Sequence, residues 1–186
     1  LYGTIEGLTD AQVRHAFDVN VFGLGNVTRA VLPYMRAQHD GTIVNISSVV
    51  GKVSSPVLGW YAASKHAVEG MTDALRLEVK PFDINVILIE PGWINTGFED
   101  VALNTLKNSD DPDCYDELKA NFEQSVRTGY EGGAGPEVVS DAVLKAIESD
   151  KPKARYAVGP QAAMPIRMKR LTTDGMWDSI VERMTS

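Results

Sequence analysis

The chain of 186 residues, 44% apolar and 23% charged, has the length and composition of one globular domain able to bury a core, which excludes a disordered or fibrous protein. Its formal charge of −7, with nine lysines and nine arginines scattered along the chain, repels phosphate backbones and argues against a nucleic-acid partner. Cys114 is the single cysteine and His15, His39 and His66 lack ligand spacing, so no internal disulfide and no metal site is expected. The lack of an apolar run of about 20 residues or of a secretory leader makes a cytoplasmic location the default expectation.

In chain order, Thr9 and Gln12 form a capping-box signature. Val13, Phe17, Val21, Leu24, Thr28, Val31 and Met35 then recur at three or four residues, which predicts a long amphipathic helix over 9–36. The β-branched run "GTIVNISS", 41–48, has too little alternation for a strand with one wet face and predicts a buried parallel strand. A helix over 61–80 is stopped by Pro81, and "INVILIEPG", 84–92, predicts a second apolar strand ended by Pro-Gly. From 97 to 133 the chain shows no strand pattern, is rich in Asp, Asn and Gly, and reads as irregular. Gly135 and Pro136 suit the N-cap and first turn of a helix through Ser149, and "ARYAVG" supplies a third strand. The tail over 160–186 mixes Met, Ile, Trp and Leu with Arg and Lys; it is expected to pack as a helix over the sheet end, with contact to apolar substrate or a membrane surface as the alternative. Alternating strands and helices imply an α/β fold, a doubly wound parallel sheet in a single domain over 1–186.

Ligands of such sheets bind at the carboxyl ends of the strands. The first strand runs out into Ser47 and Ser48, the second into Pro91, Gly92 and Thr96, and the helix of Tyr61 and Lys65 starts beside them. Residues four apart share a helix face at about 5–6 Å. Composition alone gives about 0.3 Tyr-x-x-x-Lys pairs in this chain, so the pair by itself decides nothing.

Four elements decide more. "NISS", "YAASK" with its tyrosine 13 residues after Ser48, "PGWINT", and "DVNVFG" with Asn20 28 residues before Ser48 resemble, in order and spacing, the short-chain dehydrogenase/reductase family. The resemblance covers Leu1 to about Gly159, and the wording "YAASKHAVEGMTDALRLEV" is similar to members acting on steroids, retinoids and other bulky alcohols. It implies a Rossmann-like fold, an NAD or NADP cofactor, and an oxidoreductase interconverting an alcohol and a ketone or aldehyde.

The implied roles are specific. Tyr61 exchanges a proton with the substrate oxygen as general acid/base, Ser48 hydrogen-bonds that oxygen, Lys65 holds the nicotinamide ribose and tunes Tyr61, and Asn20 orders a water linking Lys65 to solvent. Pro91, Gly92, Ile94 and Thr96 edge the nicotinamide together with Tyr61 and Lys65, while Trp93 and Phe98 are candidates for the substrate pocket. Bringing a tyrosine from about 10 toward 7 needs about 4 kcal/mol, beyond an exposed ion pair, so Lys65 is expected in a partly dry cleft. The segment 97–133 takes the place of the family's substrate-covering segment and is expected to be a mobile lid. The helices over 9–36 and 61–80 resemble the pair through which members form homodimers or homotetramers.

Ordinary readings stand beside these. Ser48 suits a strand-end turn, Asn20 a helix cap or bend near Gly23 and Gly25, Thr96 a helix start, Trp93 and Phe98 packing, and His66 a surface or packing role. A catalytically silent member kept for assembly or regulation is the alternative function; the complete set of Asn20, Ser48, Tyr61 and Lys65 favours the enzyme.

The family's opening strand and Thr-Gly-x-x-x-Gly-x-Gly turn, which hold the pyrophosphate at a helix N-terminus, are absent from this sequence. Leu1 resembles the residue after the family's Asn-Ala-Gly loop, an expectation of roughly 90 further residues upstream at typical βα-unit lengths. The first strand is then expected to be a free sheet edge, and the chain alone to bind dinucleotide weakly and not to turn over.

Overall fold

The computed structural model describes residues 1–185. A loop over 1–9 leads to α1 (Asp10–Phe17), a π-helical stretch (Asp18–Gly23) and α2 (Leu24–Gln38), followed by β1 (Gly41–Ile46), α3 (Gly59–Glu78) and β2 (Ile84–Pro91). Then come α4 (Phe98–Lys107), α5 (Asp116–Glu131), α6 (Glu137–Ile147), β3 (Arg155–Val158), α7 (Ala163–Leu171) and α8 (Asp174–Thr185). The capping box at Thr9 is formed: its hydroxyl accepts the Gln12 amide at 3.3 Å, and the Gln12 side chain accepts the Thr9 amide at 2.9 Å. His39 ends α2 in the left-handed region at φ 53°.

The three strands are parallel in the order β1–β2–β3, with Ile43 opposite Val86 and Ile89 opposite Tyr156. β2 is central, and its apolar run Val86–Ile89 is buried on both faces, as a covered parallel strand requires. On one face Ile43 and Val86 pack against Leu75 of α3, Val79 just after its end, and Val31, Leu32 and Met35 of α2. On the other, Ile87 and Ile89 pack against Ala142 and Ala146 of α6. Helices on both faces give the doubly wound α/β arrangement. Among the described residues β1 is an edge strand, with Ile46 exposed.

The stretch 97–133 departs from its reading as irregular. Only 108–115 connects α4 to α5, and the Asp and Asn cluster there masked two amphipathic helices. Ala102, Leu103, Leu106, Phe122, Val126 and Tyr130 form one buried layer with Tyr2, Val57 and Leu58. Asp111 pins this layer to the N-terminal loop, accepting from the Thr4 amide at 3.2 Å and from the Thr4 and Ser109 hydroxyls. The tail forms two helices rather than one, and Ile166 and Trp177 pack on Val49, Val53 and Ala162. Pro136 caps α6, one position later than the reading with Gly135 as cap.

Candidate active site

The carboxyl ends of β1 and β2 lie side by side. The Ser47 amide donates to the Ile89 carbonyl at 2.8 Å, and the Ser48 hydroxyl donates to the Pro91 carbonyl at 3.5 Å while accepting the Val50 amide at 3.3 Å. Ser48 thus caps the tight turn Val49–Gly51, as its ordinary reading held, and also faces the loop after β2.

α3 starts beside this edge and carries Tyr61 and Lys65 on one face. The Lys65 ammonium donates to the Ile46 carbonyl at 3.1 Å and stands 5.8 Å from the centroid of the Tyr61 ring. Burial pulls the Lys65 pKa down. Burial pushes the Tyr61 phenol up to about 12, the nearby Tyr130 phenol adds to the rise, and a hydrogen bond with Ser48 pulls the other way. Without cofactor, burial is the largest influence on the Tyr61 phenol and sets its upward direction, while the Lys65 ammonium is bonded to a backbone carbonyl.

Asn20 lies in the π-helical stretch, a rare deviation that is frequent at functional sites. Its amide donates to the Ser64 hydroxyl at 3.1 Å, which donates to the Tyr61 carbonyl at 2.7 Å. Asn20 is thereby tied to the turn of α3 that separates Tyr61 from Lys65.

Beyond β2, the Gly92 amide donates to the Val158 carbonyl at 2.9 Å, and Ile94 bridges Ala134 in parallel. Thr96 is exposed and its hydroxyl accepts the Phe98 amide at 3.2 Å, at the start of α4. Phe98 stands over the site, its ring centroid 5.7 Å from that of Tyr61 and 6.1 Å from that of Tyr2. Trp93 packs on the same cluster as Tyr61, its ring centroid 5.1 Å from that of Tyr130, and a Cβ added at Gly129 would come within 2.5 Å of its indole. A cavity of about 440 Å³ opens beside Thr96, walled by Asn95, Glu99, Arg127, Tyr130 and Glu131; of the residues singled out from the sequence only Thr96 lines it.

Tyr2, Ser64 and Tyr130 belong to this neighbourhood and were not anticipated. The readable signal for Tyr130 was its i, i+4, i+8 spacing from Phe122 and Val126. His66 bonds the Ala62 carbonyl of its own helix at 2.9 Å. Among the described residues no group of acidic, histidine or cysteine side chains could hold a metal ion, and no helix is long and apolar enough to cross a membrane.

Residues 2–106 match the family model described as short chain dehydrogenase. The chain is 40% identical over 161 residues to a 3-ketodihydrosphingosine reductase of Bacteroides thetaiotaomicron, covering 85% of this chain and 58% of that protein. It is 35% identical over 186 residues to an NADPH-dependent 3-dehydrocapnine reductase of Ornithobacterium rhinotracheale, covering 96% and 64%. The crystal structure of a short-chain dehydrogenase from Streptomyces avermitilis superposes on 99% of this chain and 63% of its own, with a TM-score of 0.75 and 30% identity. The chain therefore spans about three-fifths of the length of these relatives. With the family model covering more than half its residues, it belongs to the short-chain dehydrogenase/reductase family.

Proposed function

We propose that the protein is an NAD(P)-dependent oxidoreductase that interconverts an alcohol and a ketone or aldehyde, with Tyr61 as general acid/base. The observation that carries this reading is the convergence of Ser48, Tyr61 and Lys65 on the carboxyl edge of β1 and β2. Two relatives are named as reductases of a 3-keto or 3-dehydro compound, one of them NADPH-dependent, which favours ketone reduction. The apolar wall of Phe98 and Tyr2 beside Tyr61 suits a bulky, apolar ketone.

The residues present fit the nicotinamide half of a dinucleotide. An ammonium has three donors, and Lys65 directs one to Ile46, leaving donors for ribose hydroxyls. Pro91, Gly92 and Ile94 are held at the same edge by Val158 and Ala134, and Thr96 follows at the start of α4, accepting the Phe98 amide. When bound, the nicotinamide supplies or takes the hydride, and its oxidised ring adds positive charge near Tyr61. Tyr61, with its pKa pushed up to about 12, holds a proton at neutral pH to give to a carbonyl oxygen. Ser48 is placed to donate to that same oxygen once its hydroxyl turns from the Pro91 carbonyl. Asn20 keeps the Tyr61–Lys65 turn in register through Ser64 and is the residue to order a water toward Lys65. Helices α4 and α5 form the substrate-covering segment, and Val19, Phe22, Val27 and Leu77, exposed on the α1–α2 run and α3, are the apolar surface of a homodimer or homotetramer.

The test is consumption of NADPH or NADH by the full-length protein with 3-ketodihydrosphingosine, a steroid ketone and a short hydroxyketone. Tyr61→Phe should lower turnover by about 10²–10⁴-fold. Cofactor binding without turnover of any ketone or the matching alcohol would favour the catalytically silent reading instead.

A further inference from the structure

Beneath the site lies a buried ionic joint that the proposed chemistry does not use. Glu69 and Glu90 are each only 3% exposed. Glu69 stands one turn after Lys65 on α3, and a single one of its oxygens, Oε2, receives both Lys52 at 2.9 Å and Arg155 at 3.0 Å. Arg155, on β3, also meets Glu90 at 3.2 Å and Asp73 at 2.6 Å, and Arg76 pairs with Asp73 at 2.6 Å. Three carboxylates thus face Lys52, Arg155 and Arg76, and the positive charge of Arg170 also acts on Glu90.

Two arms of the joint end beside residues of the site, through Lys52 and through Glu90. Lys52 closes the turn that begins at Ser48: the Gly51 amide donates to the Ser48 carbonyl and the Lys52 amide to the Val49 carbonyl, both at 2.9 Å. Glu90 immediately precedes Pro91, whose carbonyl accepts from Ser48. An independent steric observation marks the same point. A Cβ added at Gly51 would come within 2.6 Å of the Ser47 hydroxyl, 3.0 Å of Glu69 Cγ and 3.2 Å of the Lys65 carbonyl. The turn carrying Ser48 is therefore pressed against the helix segment from Lys65 to Glu69, with charge pairing holding it there. Buried ion pairs contribute little net stability, yet their geometry is directional, and a misplacement of about 1 Å in a reacting group costs about 10²-fold in rate.

We propose that Glu69 is a positioning residue: through Lys52, with Gly51 seated against it, its carboxylate fixes the turn of Ser48 on the helix of Tyr61 and Lys65, and through Arg155 it ties both to Glu90 of β2 and to the start of β3. This rests on the reading of Ser48, Tyr61 and Lys65 as the reacting groups.

The experiment compares Lys52→Met, Glu69→Gln, the double variant, Gly51→Ala and Tyr61→Phe in the full-length protein, with NADPH and 3-ketodihydrosphingosine or the panel ketone turned over fastest. The expected result is a loss of about tenfold or more in kcat for each joint variant, with KM for ketone and cofactor within about threefold. The double variant should be no slower than the worse single one, because the two residues act as a unit. Hydrogen exchange, which needs no substrate, should speed up about tenfold at the Gly51 and Lys52 amides while the amides of α3 keep their protection. If Glu69→Gln does not fold, Lys52→Met, with its side chain about a quarter exposed, carries the test with Gly51→Ala. Wild-type kcat and unchanged exchange in these variants, beside an inactive Tyr61→Phe, would overturn the positioning role alone. Wild-type turnover in Tyr61→Phe would overturn the reading beneath it.

Discussion

Lys65 gives its hydrogen bond to the carbonyl oxygen of Ile46, the last residue of β1, at 3.1 Å, while its ammonium stays 5.8 Å from the Tyr61 ring centroid. The lysine therefore ties the helix to the strand before it acts on the phenol. With no direct hydrogen bond from the ammonium, burial governs the phenol, and its pKa rises to about 12.

That rise has a measurable sign. A group whose pKa is higher folded than unfolded contributes stability that is intact below the unfolded value, about 10 for tyrosine, and is lost as pH rises through the folded value. The Tyr61 contribution should therefore fade between pH 10 and about pH 12. Ultraviolet titration of the cofactor-free protein should show phenolate from Tyr61 only near the upper end of that window, identified by its loss in Tyr61→Phe. A Tyr61 that ionises at or below its ordinary value of 10.0 would contradict this account.

Asp111 has the opposite sign. Burial alone would raise its carboxyl, but hydrogen bonds from Ser109 and Thr4 and the Lys119 ammonium outweigh that and hold it below its ordinary value of 3.8. Its contribution is present above that value and is lost as pH falls through the lower folded pKa. Asp111→Asn should cost about 1–3 kcal/mol at neutral pH, since the Thr4 amide and two hydroxyls lose a charged acceptor. The difference between variant and wild type should shrink on acidification, as followed by urea unfolding at several pH values. An unchanged difference at pH 3 and pH 7 would contradict it.

The contrast between these anchors and the sequence shows where reading succeeded. β2 announced itself because Val86, Ile87, Leu88 and Ile89 form a continuous apolar run, as a central parallel strand covered on both faces demands. Ser48, Tyr61 and Lys65 were singled out through the family resemblance of "NISS" and "YAASK", and the structure brings all three to the edge formed by the ends of β1 and β2. α4 and α5 were not, since their apolar faces become meaningful only against Tyr2, Val57 and Leu58, which are remote in sequence. The joint around Glu69 was equally hidden: Lys52, Glu69, Glu90 and Arg155 look like scattered surface charges until the fold buries them together. The upward direction of the Tyr61 shift comes first from burial of the phenol, which spacing along the chain does not encode.

Leu106 tests whether the α4–α5 layer is part of the cooperative core. It is 2% exposed and shares one cluster with Tyr2, Phe122 and Val126. Leu106→Ala should cost about 2–5 kcal/mol by removing buried methylenes and leaving a cavity. Denaturant unfolding followed by near-ultraviolet dichroism should show the whole transition shifting to lower denaturant. A wild-type midpoint would mean that the layer is detached from the core.

Gly92 offers the sharpest test of the nicotinamide edge. A Cβ there would lie 2.4 Å from the Pro160 carbonyl oxygen and 3.2 Å from the Ala162 amide nitrogen. Both are backbone atoms, so no side chain can swing aside to relieve the clash. The strand-end bond from the Gly92 amide to Val158, at 2.9 Å, must then lengthen, and the loop through Ile94 and Thr96 must move off the edge it shares with Ser48. Gly92→Ala should cost about 1–3 kcal/mol of stability and should weaken NADPH binding in the full-length protein by about tenfold or more, a loss equivalent to about 1.4 kcal/mol. Fluorescence titration of the reduced cofactor measures the second effect and thermal unfolding the first. Unchanged cofactor affinity with lowered stability would remove Gly92 from the nicotinamide edge and leave it a packing residue between β2 and the segment after β3.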